Sequence, residues 1–270
     1  GNGSDELIQI ITTALATPGA AIVAPDPTFV MYRINAELAH ARYVPVPLRA
    51  DFSLDADAML RAIEREAPVL VWLAYPNNPT GNRFGRDEVE RIVAAAPGLV
   101  VVDEAYYAFA TDSFLPRVLA HPNLVVVRTV SKIGMAGLRL GYAAGHPAWI
   151  GELDKVRPPY NVGTLVQAVA PVLLGAAPVL AEQAAQILSE RARVADALRR
   201  VAGYEVFPTE TNFVLLRVAD ANATFAALRA AGILVKNLHG WHPLLAQCLR
   251  VTIGTPAEND AVLRVLALSP

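Results

Sequence analysis

The sequence predicts an α/β protein built on a mostly parallel, doubly wound sheet, with a second, smaller α+β domain at its C-terminal end. Three observations carry this. Short apolar runs alternate with segments of helical periodicity through the first 177 residues, the pattern of strands joined by helical crossovers. A long uninterrupted amphipathic stretch follows, at residues 178–201. After it, shorter strand candidates surround a single helical segment.

Composition allows this architecture and excludes others. A chain of 270 residues, 54% of them apolar, is long enough for one large α/β domain or two smaller ones with a substantial core. Lys plus Arg (23) nearly balance Asp plus Glu (25), so no overall field points to nucleic acid or an anionic membrane. The most apolar stretch, residues 168–181, is interrupted by Pro171 and Pro178 and falls short of the roughly 20 residues a membrane helix needs, so no spanning segment is expected. One cysteine, Cys248, permits no internal disulfide, and no secretory apolar region opens the chain, which suits a reducing cytoplasm.

Taken in order, residues 5–16 read as a helix with Ser4 as N-cap and Pro18-Gly19 as its stop. Strand candidates follow at 20–23, 43–46, 69–74, 99–102, 124–127 and 140–144, and helical spacing marks 55–66 and 86–96. The long helix 178–201 is expected to join the domains 1–177 and 178–270, the second holding strands at 204–207, 213–218, 233–235 and 249–253 around a helix at 221–231. There is no internal repeat and no low-complexity linker.

Four stretches carry candidate chemistry. Lys132, in Thr129-Val130-Ser131-Lys132-Ile133-Gly134, lies just past an apolar strand, where α/β sheets place their sites. A lysine among glycines and apolar residues sheds its proton more easily than a solvated one, and a neutral amine condenses with aldehydes; a surface charge is the ordinary alternative. Gly1-Asn2-Gly3-Ser4-Asp5-Glu6 places small residues before a helix whose first N–H groups can converge on a phosphate, although a simple cap explains it as well. Tyr75-Pro76-Asn77-Asn78-Pro79-Thr80-Gly81 follows a strand and reads as a turn presenting Asn78 at the sheet edge, with an Asn-Pro bond that can be cis. In Leu99-Val100-Val101-Val102-Asp103-Glu104-Ala105-Tyr106, a strand buried on both faces delivers Asp103 at its tip, a desolvated carboxylate that requires a cation. Mg²⁺ held by Asp103 and Glu104, as in nucleotide hydrolases, is one candidate; a protonated pyridine nitrogen is the other, favoured by the company of Lys132 and Asn78.

In this order, Gly-Ser-Asp-Glu, Asn-Asn-Pro-Thr-Gly, Asp-Glu-Ala-Tyr, Ser-Lys and Gly-Leu-Arg-Leu-Gly-Tyr resemble the fold-type-I pyridoxal-phosphate aminotransferases of class I/II, over essentially the whole chain. Pro27-Thr28-Phe29-Val30-Met31-Tyr32, Thr211-Asn212-Phe213 and residues 248–255 are most similar to the histidinol-phosphate aminotransferase branch. The resemblance implies pyridoxal 5'-phosphate as cofactor, domain 1–177 as its binding domain, and Lys132 as both the Schiff-base lysine and the base that moves the substrate Cα proton. It implies Asp103 as partner of the ring nitrogen, Tyr106 and Asn78 as hydrogen-bond partners of the ring hydroxyl, and Phe29 as the stacking aromatic. The cofactor phosphate falls to Gly3, Ser4, Asp5, Ser131 and Arg139, and the substrate's anionic groups to Arg250 and Lys236. Arg250, in an apolar strand, would otherwise read as half of a buried ion pair.

Two departures stand out. Six residues separate Lys132 from Arg139 where many relatives have seven, so the loop is expected to run differently. Lys236 stands where an arginine is frequent, a point charge without the bidentate fork. His239 and His242 beside Trp241 are expected to lie on a solvated loop rather than to bind a metal. Relatives begin well before the Gly-Ser-Asp-Glu motif, with an arm that supplies a tyrosine to the partner's site; the chain is therefore expected to be N-terminally truncated, to bind cofactor poorly and to turn over slowly or not at all by itself. The full-length parent is expected to be a homodimer. The implied reaction is amino transfer from L-histidinol phosphate to 2-oxoglutarate. The alternatives are a related enzyme acting on aromatic or other amino acids or on threonine phosphate, a Mg²⁺-dependent nucleotide hydrolase, and a domain of this fold kept only for binding.

Overall fold

The structure, a computed structural model, describes residues 1–267. It opens with α1 (Ser4–Leu15), β1 (Ala21–Asp26), α2 (Val30–Leu38), β2 (Arg42–Pro47), α3 (Ala56–Glu66), β3 (Leu70–Ala74), α4 (Arg86–Ala95) and β4 (Leu99–Asp103). With β5 (Leu124–Thr129) and β6 (Gly141–Gly145) the strands form a six-stranded sheet in the order β2-β1-β3-β4-β5-β6. Neighbours are parallel except β6, which runs antiparallel to β5. Every residue of β3 and β4 is buried, as unalternated Val and Leu runs require when helices cover both faces. Met59, Ile63, Val89 and Ile92 of α3 and α4 pack on one face, Ile8, Ile11 and Tyr32 of α1 and α2 on the other. This layering sends the C-terminal ends of β3, β4 and β5 to one edge, beside the starts of α1 and α2.

α5 (Pro147–Val156) and α6 (Thr164–Gly175) lead to the long α7 (Ala177–Arg199). An antiparallel four-stranded sheet follows, in the order β7-β8-β10-β9, from β7 (Glu205–Val206), β8 (Phe213–Arg217), β9 (Lys236–Asn237) and β10 (Cys248–Thr252). α8 (Ala221–Ala230) and α9 (Pro256–Leu266) cover it, and Val194 and Leu198 of α7 share its core with Val214, Leu216, Leu249 and Val251. Among the described residues no single helix is long and apolar enough to cross a membrane; α6 and α7 together meet that test only across a 73° bend.

Each strand candidate of the first 177 residues is a strand, and the structure amends two expectations. The α1 cap is Gly3, with Ser4 already helical and no side-chain cap. The last-but-one strand lies at Lys236–Asn237 rather than at 233–235, because the Ile233 N–H closes the end of α8 on Leu228 O (2.9 Å) and pairing with β10 starts only after it. α9, which is not among the sequence-predicted elements, starts at a capping box of Thr255 and Glu258 with Pro256 in its first turn. The Asn78-Pro79 bond is cis, as are Asp26-Pro27 and Tyr75-Pro76.

Candidate active site

The strand ends meet at a cavity lined by every sequence-predicted cofactor residue except Gly3, which lies one residue behind Ser4: Ser4, Asp5, Phe29, Asn78, Asp103, Tyr106, Ser131, Lys132 and Arg139, with Tyr32 added. Asp103 ends β4 and is 4% exposed. Its Oδ1 accepts the Ala105 N–H at 3.0 Å and its Oδ2 the Tyr32 hydroxyl at 2.7 Å. Burial pushes its pKa up to about 6, against the pull of these two donors. Among the described residues no ion pair involves Asp103.

Its neighbour Glu104 points the other way and is fully engaged. It accepts the Phe114 N–H (2.6 Å) and the Ser113 hydroxyl (3.0 Å) and pairs with Arg128 at 2.8 Å, whose guanidinium lies 4.2 Å from the Tyr107 ring centroid. Glu104 is thus unavailable as the second carboxylate of a Mg²⁺ site, which removes the basis of the nucleotide-hydrolase alternative.

Lys132 follows β5 on a single turn, Ser131–Met135, broken at Ile133 and Gly134, where Gly134 takes φ 90°. Its Nζ stands 5.5 Å from the Tyr106 ring centroid. Burial, and then the charge of Arg250, lower its pKa from the usual lysine range. Tyr106 is buried against the edge of Phe213, its pKa pushed up to about 12 by burial.

At the other end of the cavity, α1 presents first-turn N–H groups that have no intrahelical acceptor. Gly3 has φ 86°, and a Cβ there would lie 2.8 Å from Arg139 Nη2, so only glycine leaves that guanidinium its place. Arg139 donates to Asp5 Oδ2 (3.1 Å), and Thr129 Oγ1 donates to Ser131 Oγ (2.8 Å). The short loop still delivers Arg139 to the cavity, from a left-handed φ of 49°.

A larger cavity of about 520 Å³ adjoins the first, sharing Phe29 and Asn78, and its walls include Asp26, Arg33, Lys236, Trp241, His242 and Arg250. Arg250 is not in a buried ion pair: its Nη1 donates to Asn78 Oδ1 (2.5 Å), its guanidinium lies 5.0 Å from the Phe213 ring centroid, and its buried Nε has no partner. Lys236 Nζ stands 4.1 Å from the Trp241 ring centroid. Of the two histidines, His239 meets the solvated-loop expectation and His242 departs from it. His239 is exposed and accepts the Gln247 N–H, whereas His242 is half-buried in the cavity wall, with Nε2 3.6 Å from Asp26. Sequence reasoning missed Tyr32, Arg33, Asp26, Trp241 and His242; for Tyr32 the signal was its place three residues after Phe29, one helical turn on.

A buried carboxylate without a cation, a half-buried amine with a lowered pKa and a glycine-cleared anion cradle suit a phosphorylated aldehyde that carries a protonated ring. Fold and site together define the fold-type-I pyridoxal-phosphate enzymes. Residues 1–266 match the family of aminotransferases of class I and II, and the chain belongs to it. A histidinol-phosphate aminotransferase of Chromobacterium violaceum is 57% identical over 98% of this chain and 75% of its own length. Histidinol-phosphate aminotransferase 1 of Burkholderia lata is 53% identical over 100% of this chain and 76% of its own. The crystal structure of the Sinorhizobium meliloti histidinol-phosphate aminotransferase in complex with pyridoxal-5'-phosphate superposes with a TM-score of 0.90 at 29% identity, covering 99% of this chain and 75% of that one.

Proposed function

We propose that the protein uses pyridoxal 5'-phosphate to transfer the amino group of L-histidinol phosphate to 2-oxoglutarate, giving imidazole-acetol phosphate and L-glutamate in histidine biosynthesis. The observation that carries the reaction type is Lys132, half-buried with a lowered pKa in one cavity with Asp103 and Tyr106. The substrate rests on the names of relatives above half identity and on the cations of the adjoining cavity.

Lys132 would hold the cofactor through its aldehyde and would take the proton from the substrate Cα, a role that its lowered pKa favours. When bound, the cofactor supplies an electron-withdrawing ring that makes that Cα acidic. Asp103 holds the proton on the ring nitrogen. Tyr106 would donate to the ring hydroxyl, and Asn78, whose Oδ1 is occupied by Arg250, would offer its amide NH₂ to the same group. Phe29 borders both cavities and would stack on the ring. Ser131, Arg139 and the N–H groups from Gly3 to Asp5 hold the phosphate. Arg250 binds the substrate's anionic group next to the reacting carbon, its unpartnered Nε awaiting an acceptor, and Lys236 binds a more distant one.

Residues 1–177 act as the cofactor-binding domain, and 178–270 as the joining helix with the small domain. The enzyme works in the cytoplasm and as a homodimer; α6 supports the homodimer, since it buries only Ala170 and exposes Leu165, Val169, Val172 and Leu174. With 2-oxoglutarate as acceptor, glutamate release is measured from L-histidinol phosphate, aromatic amino acids and O-phosphothreonine, with carbon dioxide trapped in parallel. The proposal requires fastest glutamate release from histidinol phosphate. Faster release from an aromatic donor, or carbon dioxide from phosphothreonine, replaces it with the corresponding relative.

A further inference from the structure

We propose that Tyr32 is a positioning residue: its buried hydroxyl holds the Asp103 carboxylate in place and stabilises its negative charge, so that Tyr32 and Asp103 together set how firmly the ring nitrogen's proton is held. The inference deepens the pyridoxal-phosphate reading above and rests on it.

The geometry leaves Tyr32 little freedom. It lies in the first turn of α2 with 0% exposure, its ring stacked on Trp72 of β3 (centroids 4.7 Å apart, planes at 4°) and meeting Phe29 edge-on (5.7 Å, 85°). Clamped between them, the ring aims its hydroxyl at Asp103 Oδ2, 2.7 Å away. The Ala105 N–H takes the other oxygen at 3.0 Å, so the carboxylate is gripped on both sides and cannot rotate. With no ion pair to Asp103 among the described residues, these two neutral donors hold its charge. Burial, and next the charge of Asp103, raise the Tyr32 pKa well above the usual phenol value, so Tyr32 stays protonated and remains the donor. Phenylalanine would fill the same stacked slot, which makes the hydroxyl's contribution separable from packing.

Removing the donor makes Asp103 more basic. It draws the ring proton towards itself, the ring keeps less positive charge, and the Lys132–cofactor linkage holds its own proton to higher pH. Three proteins test this: wild type, Tyr32→Phe, and a form with a ring-fluorinated tyrosine at position 32, a stronger donor of nearly the same shape. The readouts are the pH midpoint of the bound cofactor's visible absorbance, the pyridoxal-phosphate dissociation constant and the thermal melt. Tyr32→Phe is expected to stay folded with a melt a few degrees below wild type, bind cofactor about tenfold more weakly and move the midpoint up by about half a pH unit, as loss of a hydrogen bond to a charged group implies. The fluorinated residue moves the midpoint down. In an Asp103→Asn background, Tyr32→Phe moves it no further. Unchanged midpoint and affinity in a well-folded Tyr32→Phe overturn the proposal; if that variant misfolds, an unmoved midpoint in the fluorinated form does so. A wild type that gives no visible band with pyridoxal phosphate, both by itself and with the relatives' N-terminal segment restored, overturns the cofactor reading itself, a distinguishable result.

Discussion

Asp103 and Glu104 are neighbours at the end of one strand, both buried, and the two sides of that strand treat them oppositely. On the cavity side Asp103 is held by two neutral donors and no cation; on the far side Glu104 is neutralised by Arg128 and tied to Ser113 and Phe114. The difference separates a group kept available for an incoming charge from one that serves the fold. A buried carboxylate left unpaired is costly, and that cost is tolerable where a ligand removes it.

The comparison breaks most visibly at Lys132, on the cavity side. Lys132→Ala is expected to lower kcat by more than about 10⁴-fold, because one residue supplies both nucleophile and base, with the melting temperature close to wild type. Single-turnover assays with a melt in parallel check this. Asp103→Asn is expected to cost about 10²- to 10³-fold in kcat, as loss of a charge placed for the reaction does.

That same variant should make the apoprotein more stable, and the sign follows from the pKa. Asp103 rises from 3.8 to about 6 on folding, so the folded state binds its proton more tightly and the ionised group destabilises the fold above about pH 6. The penalty fades as pH falls through that value towards 4. At about 1.4 kcal/mol per unit, apo Asp103→Asn gains on the order of 3 kcal/mol at pH 8 and nothing near pH 4, by urea unfolding at the two pH values. Glu104→Gln should do the reverse: it strands Arg128 and costs about 3 kcal/mol of stability, while kcat of the folded enzyme stays near wild type. Equal effects of the two substitutions on kcat would mean that Asp103 and Glu104 do not differ in role.

Smaller effects sharpen the contrast from the cavity's other wall. Arg250→Lys removes a planar fork and should raise KM for the amino donor about tenfold with a lesser change in kcat. Lys236→Arg restores a fork and should lower KM for a phosphorylated donor by about threefold, measured against an unphosphorylated one.

The divide between legible and illegible follows the range of the interactions. The Val and Leu runs of β3, β4 and β5 announced a buried parallel sheet, and their ends located Asp103 and Lys132, because strand burial and strand termination are local properties. Motif order placed Arg139 and Arg250. Partnerships across long sequence separations were not readable: Tyr32 with Asp103, Arg250 with Asn78, Glu104 with Arg128. Nothing in the spacing of Ile233 to Val235 shows that the Ile233 N–H is taken by the end of α8, which displaced β9. His242 looked like a loop residue because its partner, Asp26, is at the end of β1.

The most direct test of the central claim is borohydride reduction of the protein saturated with pyridoxal phosphate, followed by peptide mass spectrometry, with Lys132→Ala alongside. Reduction should bleach a visible band, leaving the cofactor's mass on the peptide containing Lys132 and none in the variant. A label on another lysine, or equal labelling of wild type and variant, would contradict it.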